Sequence, residues 1–113
     1  MGMNVRQNVE LAKHPVHEGV FMRHFFGKDE TDGRLNNVEI SIMPGFGIAE
    51  HAHESAGEFF YVVSGQGAFL DQTEWVSVQA GDAFMAPVGM RHAVKSTGRD
   101  VLKLFSTFSP PVR

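Results

Sequence analysis

Glycine returns every few residues along this chain, at Gly19, Gly27, Gly33, Gly45, Gly47, Gly57, Gly65, Gly67, Gly81, Gly89 and Gly98. The segments between are brief and rich in Phe, Val, Ile and Tyr, and none carries a sustained apolar period of 3.6 residues. Short strands separated by turn signals predict an all-β sandwich or barrel rather than a helical domain. The 113 residues suit one domain, and ten phenylalanines supply much of the bulk for its core.

The clearest strand runs from Val38 to Met43. Val38, Ile40 and Ile42 alternate there with Glu39, Ser41 and Met43, so one face turns to the core. Pro44-Gly45 ends it. Phe59 to Val63 is apolar throughout, which predicts cover on both faces, supplied by an N-terminal strand around Val20 to Phe26 or by a partner chain. Phe69-Leu70 and Trp75 to Val78 form a hairpin around Asp71 to Glu74. Ala83 to Ala86, Ala93 to Lys95 and Val101 to Phe108 complete the set. Lys28 to Asn37 reads as a loop, and Val9 to Lys13 as one helical turn.

Composition narrows the function. The formal net charge is −3 with no basic run, which argues against a nucleic-acid partner. The longest apolar stretch is far too short to span a bilayer. With no cysteine, disulfides, thiolate metal sites and a cysteine nucleophile are all excluded. Met1 to His14 lacks the apolar core of a signal peptide, so a cytoplasmic location is the default expectation.

The chemistry concentrates in four residues. His51 and His53 stand two apart, a spacing that puts both imidazoles on one face of a strand. Glu58 follows beyond a turn at Ser55-Ala56-Gly57, and His92 comes after the Pro87-Val88-Gly89 turn. Three imidazole nitrogens and one carboxylate oxygen suit a first-row divalent metal. Glu54, next to His53, reads as a surface residue or a support to the ligands. His14 and His17, in a polar stretch, are expected in solvent. His24 sits in an apolar run, either as a hydrogen-bonded structural histidine or as an acid–base group. Arg23 is either an outward charge or a clamp for a substrate carboxylate. Phe60, Met85 and Phe105 are candidate pocket walls. Tyr61, one residue from Phe60, should face away from the metal, at an interface.

Two patterns organise these residues. Gly45-x5-His51-x-His53-x4-Glu58-x6-Gly65, spanning residues 45–65, and Gly81-x5-Pro87-x-Gly89-x2-His92, within residues 81–96, resemble both motifs of the cupin superfamily. One departure is Ser96, where the family pattern has Asn. The resemblance covers the middle of a single domain, 1–113, with N-terminal strands and a loop over 1–37. It implies a double-stranded β-helix, or jelly roll, holding one divalent transition metal (Fe, Mn, Ni or Zn) through His51, His53, Glu58 and His92. About two coordination positions would stay open. The function implied is a metal-dependent enzyme, either a dioxygenase or an isomerase or lyase, acting on a small polar or carboxylate-bearing molecule. The alternative is a cupin that binds or senses a small ligand without turnover. A homodimer is the expected assembly.

Overall fold

The computed structural model describes residues 2–113, which form ten strands. These are β1 (Ala12–Lys13), β2 (Val20–Phe26), β3 (Asn36–Ile42), β4 (Gly47–His51), β5 (Gly57–Ser64), β6 (Gln66–Asp71), β7 (Glu74–Gln79), β8 (Ala83–Ala86), β9 (His92–Ser96) and β10 (Leu102–Ser109). They make two antiparallel sheets, one in the order β1-β2-β3-β10-β5-β8 and the other β4-β9-β6-β7. The expected jelly roll is the fold.

Alternation decides what lies between the sheets. From the larger sheet come Val38, Ile40 and Ile42 of β3, Leu102, Leu104 and Phe108 of β10, and Phe60 and Val62 of β5; Phe69, Val78 and Val94 answer from the smaller one. Removing each of the larger side chains from water contributes roughly 1.5–3 kcal/mol. Two glycines let the backbones meet. At Gly65 the chain turns between β5 and β6 with φ +87°, where any Cβ would run into the Val101 carbonyl. At Gly47 a Cβ would lie 2.7 Å from Val94 O on the neighbouring strand, so β4 could not seat beside β9.

The structure corrects several expectations. The helical turn lies at Arg6–Asn8, as a 3-10 turn, while Ala12–Lys13 pairs with β2 instead. The loop expected over Lys28 to Asn37 gives way to strand at Asn36. The two asparagines suggested a loop because they are polar, but the amide oxygens of both are hydrogen-bonded. Asn37 Oδ1 accepts from Phe26 N at 3.1 Å, and Asn36 Oδ1 from Val112 N at 2.7 Å.

On β5 burial does alternate: Glu58, Phe60 and Val62 are buried, and Phe59, Tyr61 and Val63 are exposed. The strand β2 does not cover their outer face, because it extends the same sheet beyond β3. What the N-terminal segment covers is Glu39 on β3, where Arg6 Nε donates to both carboxylate oxygens at 3.0 Å.

Candidate metal centre

Both sheets and one loop deliver the four candidate ligands. His51 closes β4 and lies directly opposite His92, the first residue of β9. Glu58 comes from β5, on the other sheet. His53 is not on a strand. The chain leaves β4 at His51, and the loop is held where His53 O accepts from Gly89 N at 2.9 Å. This bond ties the His51–His53 segment to the turn that precedes His92, and gives Gly89, at φ +78°, a specific task.

One ligand atom from each residue converges, all within 4.8 Å of one another. His53 Nε2 and His92 Nε2 are each 3.2 Å from Glu58 Oε1, and His51 Nε2 is 3.2 Å from His53 Nε2. Ligands about 2.1 Å from a common centre stand about 3 Å apart when adjacent and about 4.2 Å when opposite, so the three 3.2 Å separations match adjacent ligands of one first-row ion, while the 4.8 Å outer limit asks the side chains to draw in slightly on binding.

The outer partners point the right lone pairs inward. His51 Nδ1 is 2.8 Å from Ala49 O, and His92 Nδ1 is 3.1 Å from Met90 O. A carbonyl only accepts, so each Nδ1 carries a proton, and whenever the ring is neutral each Nε2 is left with its lone pair to offer a metal. Ser106 Oγ donates to Glu58 Oε2 at 2.6 Å, leaving Oε1 to face the histidines. Burial is deep, with Glu58 3 % and His92 1 % exposed. By these criteria the residues fit a divalent transition metal.

Burial and contact set the protonation. Burial raises the Glu58 pKa, but hydrogen bonds from His53, His92 and Ser106 outweigh it and hold the carboxyl below its ordinary value. His51 is lowered, first by burial, against a partial rise from its bond to Ala49. For His92 burial again pulls down, yet the bonds to Glu58 and Met90 leave its pKa raised.

A family model for the cupin domain matches residues 38–108, enclosing all four candidate ligands. The chain belongs to the cupin family. Among its relatives, the oxalate-binding protein of Thermotoga maritima is 27% identical over 88 residues, covering 77% of this cupin and 73% of that protein. The polyketide synthase CurC of Streptomyces cyaneus is 33% identical over 72 residues, covering 63% of this cupin and 47% of that protein. The crystal structure of a Thermotoga maritima protein described as a predicted oxalate decarboxylase superposes with TM-score 0.88 at 22% identity, over 96% of this cupin and 99% of that chain.

The candidate ligands of this cupin lie on the wall of a cavity of about 490 Å³. Phe60 lines it, together with Met22, Val38, Ile40, Ile48, Val94 and Phe108. Met85 and Phe105 do not, which corrects the expectation for both. On β8 the inward parity belongs to Phe84, and on β10 to Leu104, Ser106 and Phe108, so Met85 and Phe105 point outward, 48 % and 36 % exposed. Arg23 also faces outward, 3.7 Å from Glu39 and bonded to Val9 O, and so is no clamp inside the cavity. His24, one residue on, does line the cavity. His14 and His17 are corrected too. They are half-buried at the cavity, where the β1–β2 loop crosses it, and His14 Nδ1 accepts from Val16 N and His17 N, both at 3.1 Å. Glu54 is exposed, and Ser96 is buried with its Oγ unpartnered by protein.

Replacing Ser106 with alanine is expected to free Glu58 Oε2 and loosen the carboxylate, weakening metal affinity by about 10–100-fold. Competition with a chelating indicator dye checks this. Affinity unchanged within a factor of two would show that Ser106 does not orient Glu58.

Proposed function

We propose that this cupin is a metal-dependent enzyme acting on a small molecule that binds the metal through oxygen atoms and carries an apolar body. The observation that supports it most is the placement of the four converging ligand atoms on the wall of a cavity that is otherwise mainly aliphatic and aromatic. Its volume lies within the roughly 300–1,000 Å³ usual for ligands of drug-like size. A two-carbon diacid such as oxalate would leave most of those walls unfilled and would surrender much of its hydration to them. The relative named for polyketide synthesis supports the larger, less polar substrate.

A bound divalent metal, Fe, Mn, Ni or Zn, supplies Lewis acidity and, in the case of iron, redox chemistry. The protein's own side chains divide the remaining work. His51, His53, Glu58 and His92 hold the ion, while Ala49 O, Met90 O and Ser106 fix the orientation of three of them. Phe60, Phe108 and Val94 exclude water from the reacting end of the substrate.

Elemental analysis of the purified protein, followed by an oxygen electrode, tests the reading. About one equivalent of a transition metal is expected. Oxygen uptake with turnover assigns a dioxygenase, and turnover under argon assigns an isomerase or lyase. Protein that acquires no metal from any of the four ions would sink the proposal. A second reading, binding without turnover, is supported by the relative named for binding oxalate. It predicts ligand-dependent thermal stabilisation with no product.

The outer face of β10, β5 and β8 supports a homodimer as the working assembly. Phe105 pairs across to Tyr61, and Phe59 to Met85, giving an exposed apolar surface that none of the described residues covers. A two-fold axis lets such a surface meet its own copy, apolar against apolar.

A further inference from the structure

One side chain lining the cavity has buried polar atoms with no partner among the described residues. His24 reaches inward from β2, in a row that continues through Val38 and Ser106 to Phe60. Neither its Nδ1 nor its Nε2 has a hydrogen-bond partner in the protein, although the residue lines the cavity. Both nitrogens lie out of solvent, so the accessible surface of the residue belongs to its other atoms. A half-turn of the ring about its broad second torsion exchanges the nitrogen and carbon edges. An imidazole left unpaired against aliphatic walls destabilises the fold, which gives its position a reason to be sought in the ligand.

Arg113, exposed at the rim, lines the same cavity. The C-terminal residues are fixed at the cavity by Val112 N donating to Asn36 Oδ1 at 2.7 Å and by Arg113 O accepting from Lys28 N at 3.0 Å. Both Val112 and Arg113 line the cavity. Burial, and then the charge of Arg113, push the His24 pKa down, so the ring is neutral and offers one donor and one acceptor. From β2 to Glu58 on β5 the sheet steps through β3 and β10. Three strand spacings amount to about 14 Å along the curved sheet, and less across the cavity. Met22, Val38 and Phe108 lie among the lining residues of this region.

We propose that His24 and Arg113 form a second polar pole of the cavity, which selects ligands carrying an anionic group at the end remote from their metal-binding oxygens. The inference rests on the metal reading above and names the substrate class for that site: a molecule with oxygen groups at both ends and an apolar middle. A compact diacid cannot serve both poles at once.

Two probes share a chelating diol and an alkyl side chain and differ in one terminal carboxylate: ethylcatechol and dihydrocaffeate. Their dissociation constants are measured by calorimetry, under argon, on zinc-loaded wild type, His24→Ala, His24→Gln and Arg113→Ala. Wild type is expected to prefer dihydrocaffeate by about tenfold or more. His24→Ala and Arg113→Ala should each reduce that preference to about threefold or less, with ethylcatechol affinity nearly unchanged. His24→Gln keeps a donor and an acceptor and should retain most of the preference. Equal affinity of wild type for both probes, binding of neither, or a preference that survives both alanine variants overturns the pole. Wild-type preference is read without any substitution, so a variant that fails to fold does not shelter the proposal. Zinc content is determined before either probe is added. Wild type that takes up neither zinc nor any of the other three ions overturns the metal reading and the pole with it, whereas full metal content with no end-group preference overturns the pole alone.

Discussion

Removing the His92 imidazole is expected to take the bound metal with it. His92 is the first residue of β9, sits opposite His51, and is held by Met90 O with its Nε2 toward Glu58. Alanine there deletes one ligand of four and also releases Glu58 Oε1 from one of its two imidazole neighbours. Metal content should fall from about one equivalent to background, a larger loss than the roughly 10–100-fold expected when a supporting residue is removed. Glu58→Ala should do the same, since the remaining three nitrogens lose the only anionic ligand. The thermal consequence is separable. At a metal concentration a hundred times the dissociation constant, wild type gains about 2.7 kcal/mol, or about 10 °C in a domain of this size. Neither variant should gain. Elemental analysis and paired melting curves, with and without metal, check both statements. A His92→Ala protein that keeps its metal would remove this residue from the site.

Protons and metal should compete at the same ring. The folded pKa of His92 is raised, its hydrogen bonds to Glu58 and Met90 outweighing burial. In the metal-free protein that bound proton favours the fold, fully so below the ordinary histidine value, and the benefit is lost as pH rises through the raised value. Glu58 runs the other way. Its lowered pKa stabilises the fold above the ordinary carboxylate range, and this is lost as pH falls through the lowered value. Metal needs His92 neutral, so occupancy should decline as pH drops below the raised pKa.

The candidate ligand cluster was legible in the sequence for a physical reason. His51 and His53 are neighbours along the chain, and Glu58 lies one turn beyond, so their convergence depends on local geometry. His92 was legible through Gly89, whose amide bonds to His53 O and fixes the approach of the second segment. The cavity walls were less legible because inward and outward faces depend on strand register. Phe60 followed from its parity with Glu58, and Phe108, the cross-strand partner of Glu58, could have been found the same way had the β5–β10 pairing been known. Met85 and Phe105 were misplaced because their registers opposite Phe59 and Tyr61 are tertiary facts. Arg23 and His24 differ by a single step of that parity. Arg113 carried no signal, since its position depends on the chain's return to β3 through Asn36.

The same parity sets up the second large effect, on assembly. Phe59, Tyr61, Met85 and Phe105 all fall on the outer face, with Tyr61 51 % exposed, and the described N-terminal residues reach Glu39, Arg23 and Phe25, farther across the sheet. Phe105 is also within 6.1 Å of Phe25, ring centre to ring centre, which extends the apolar surface toward β2. If two copies pair through this face, replacing Phe105 or Tyr61 with arginine places two like charges in one desolvated interface, because a two-fold axis presents every substitution twice. The cost per interface should be roughly 2–4 kcal/mol, weakening the dimer about 30- to 700-fold. Sedimentation velocity over a micromolar concentration series should show dimer for wild type and monomer for Tyr61→Arg. Metal content should stay unchanged, because β5 turns Tyr61 away from Glu58. Wild type that sediments as a monomer throughout, or a Tyr61→Arg protein that remains dimeric, would place the contact elsewhere or remove it.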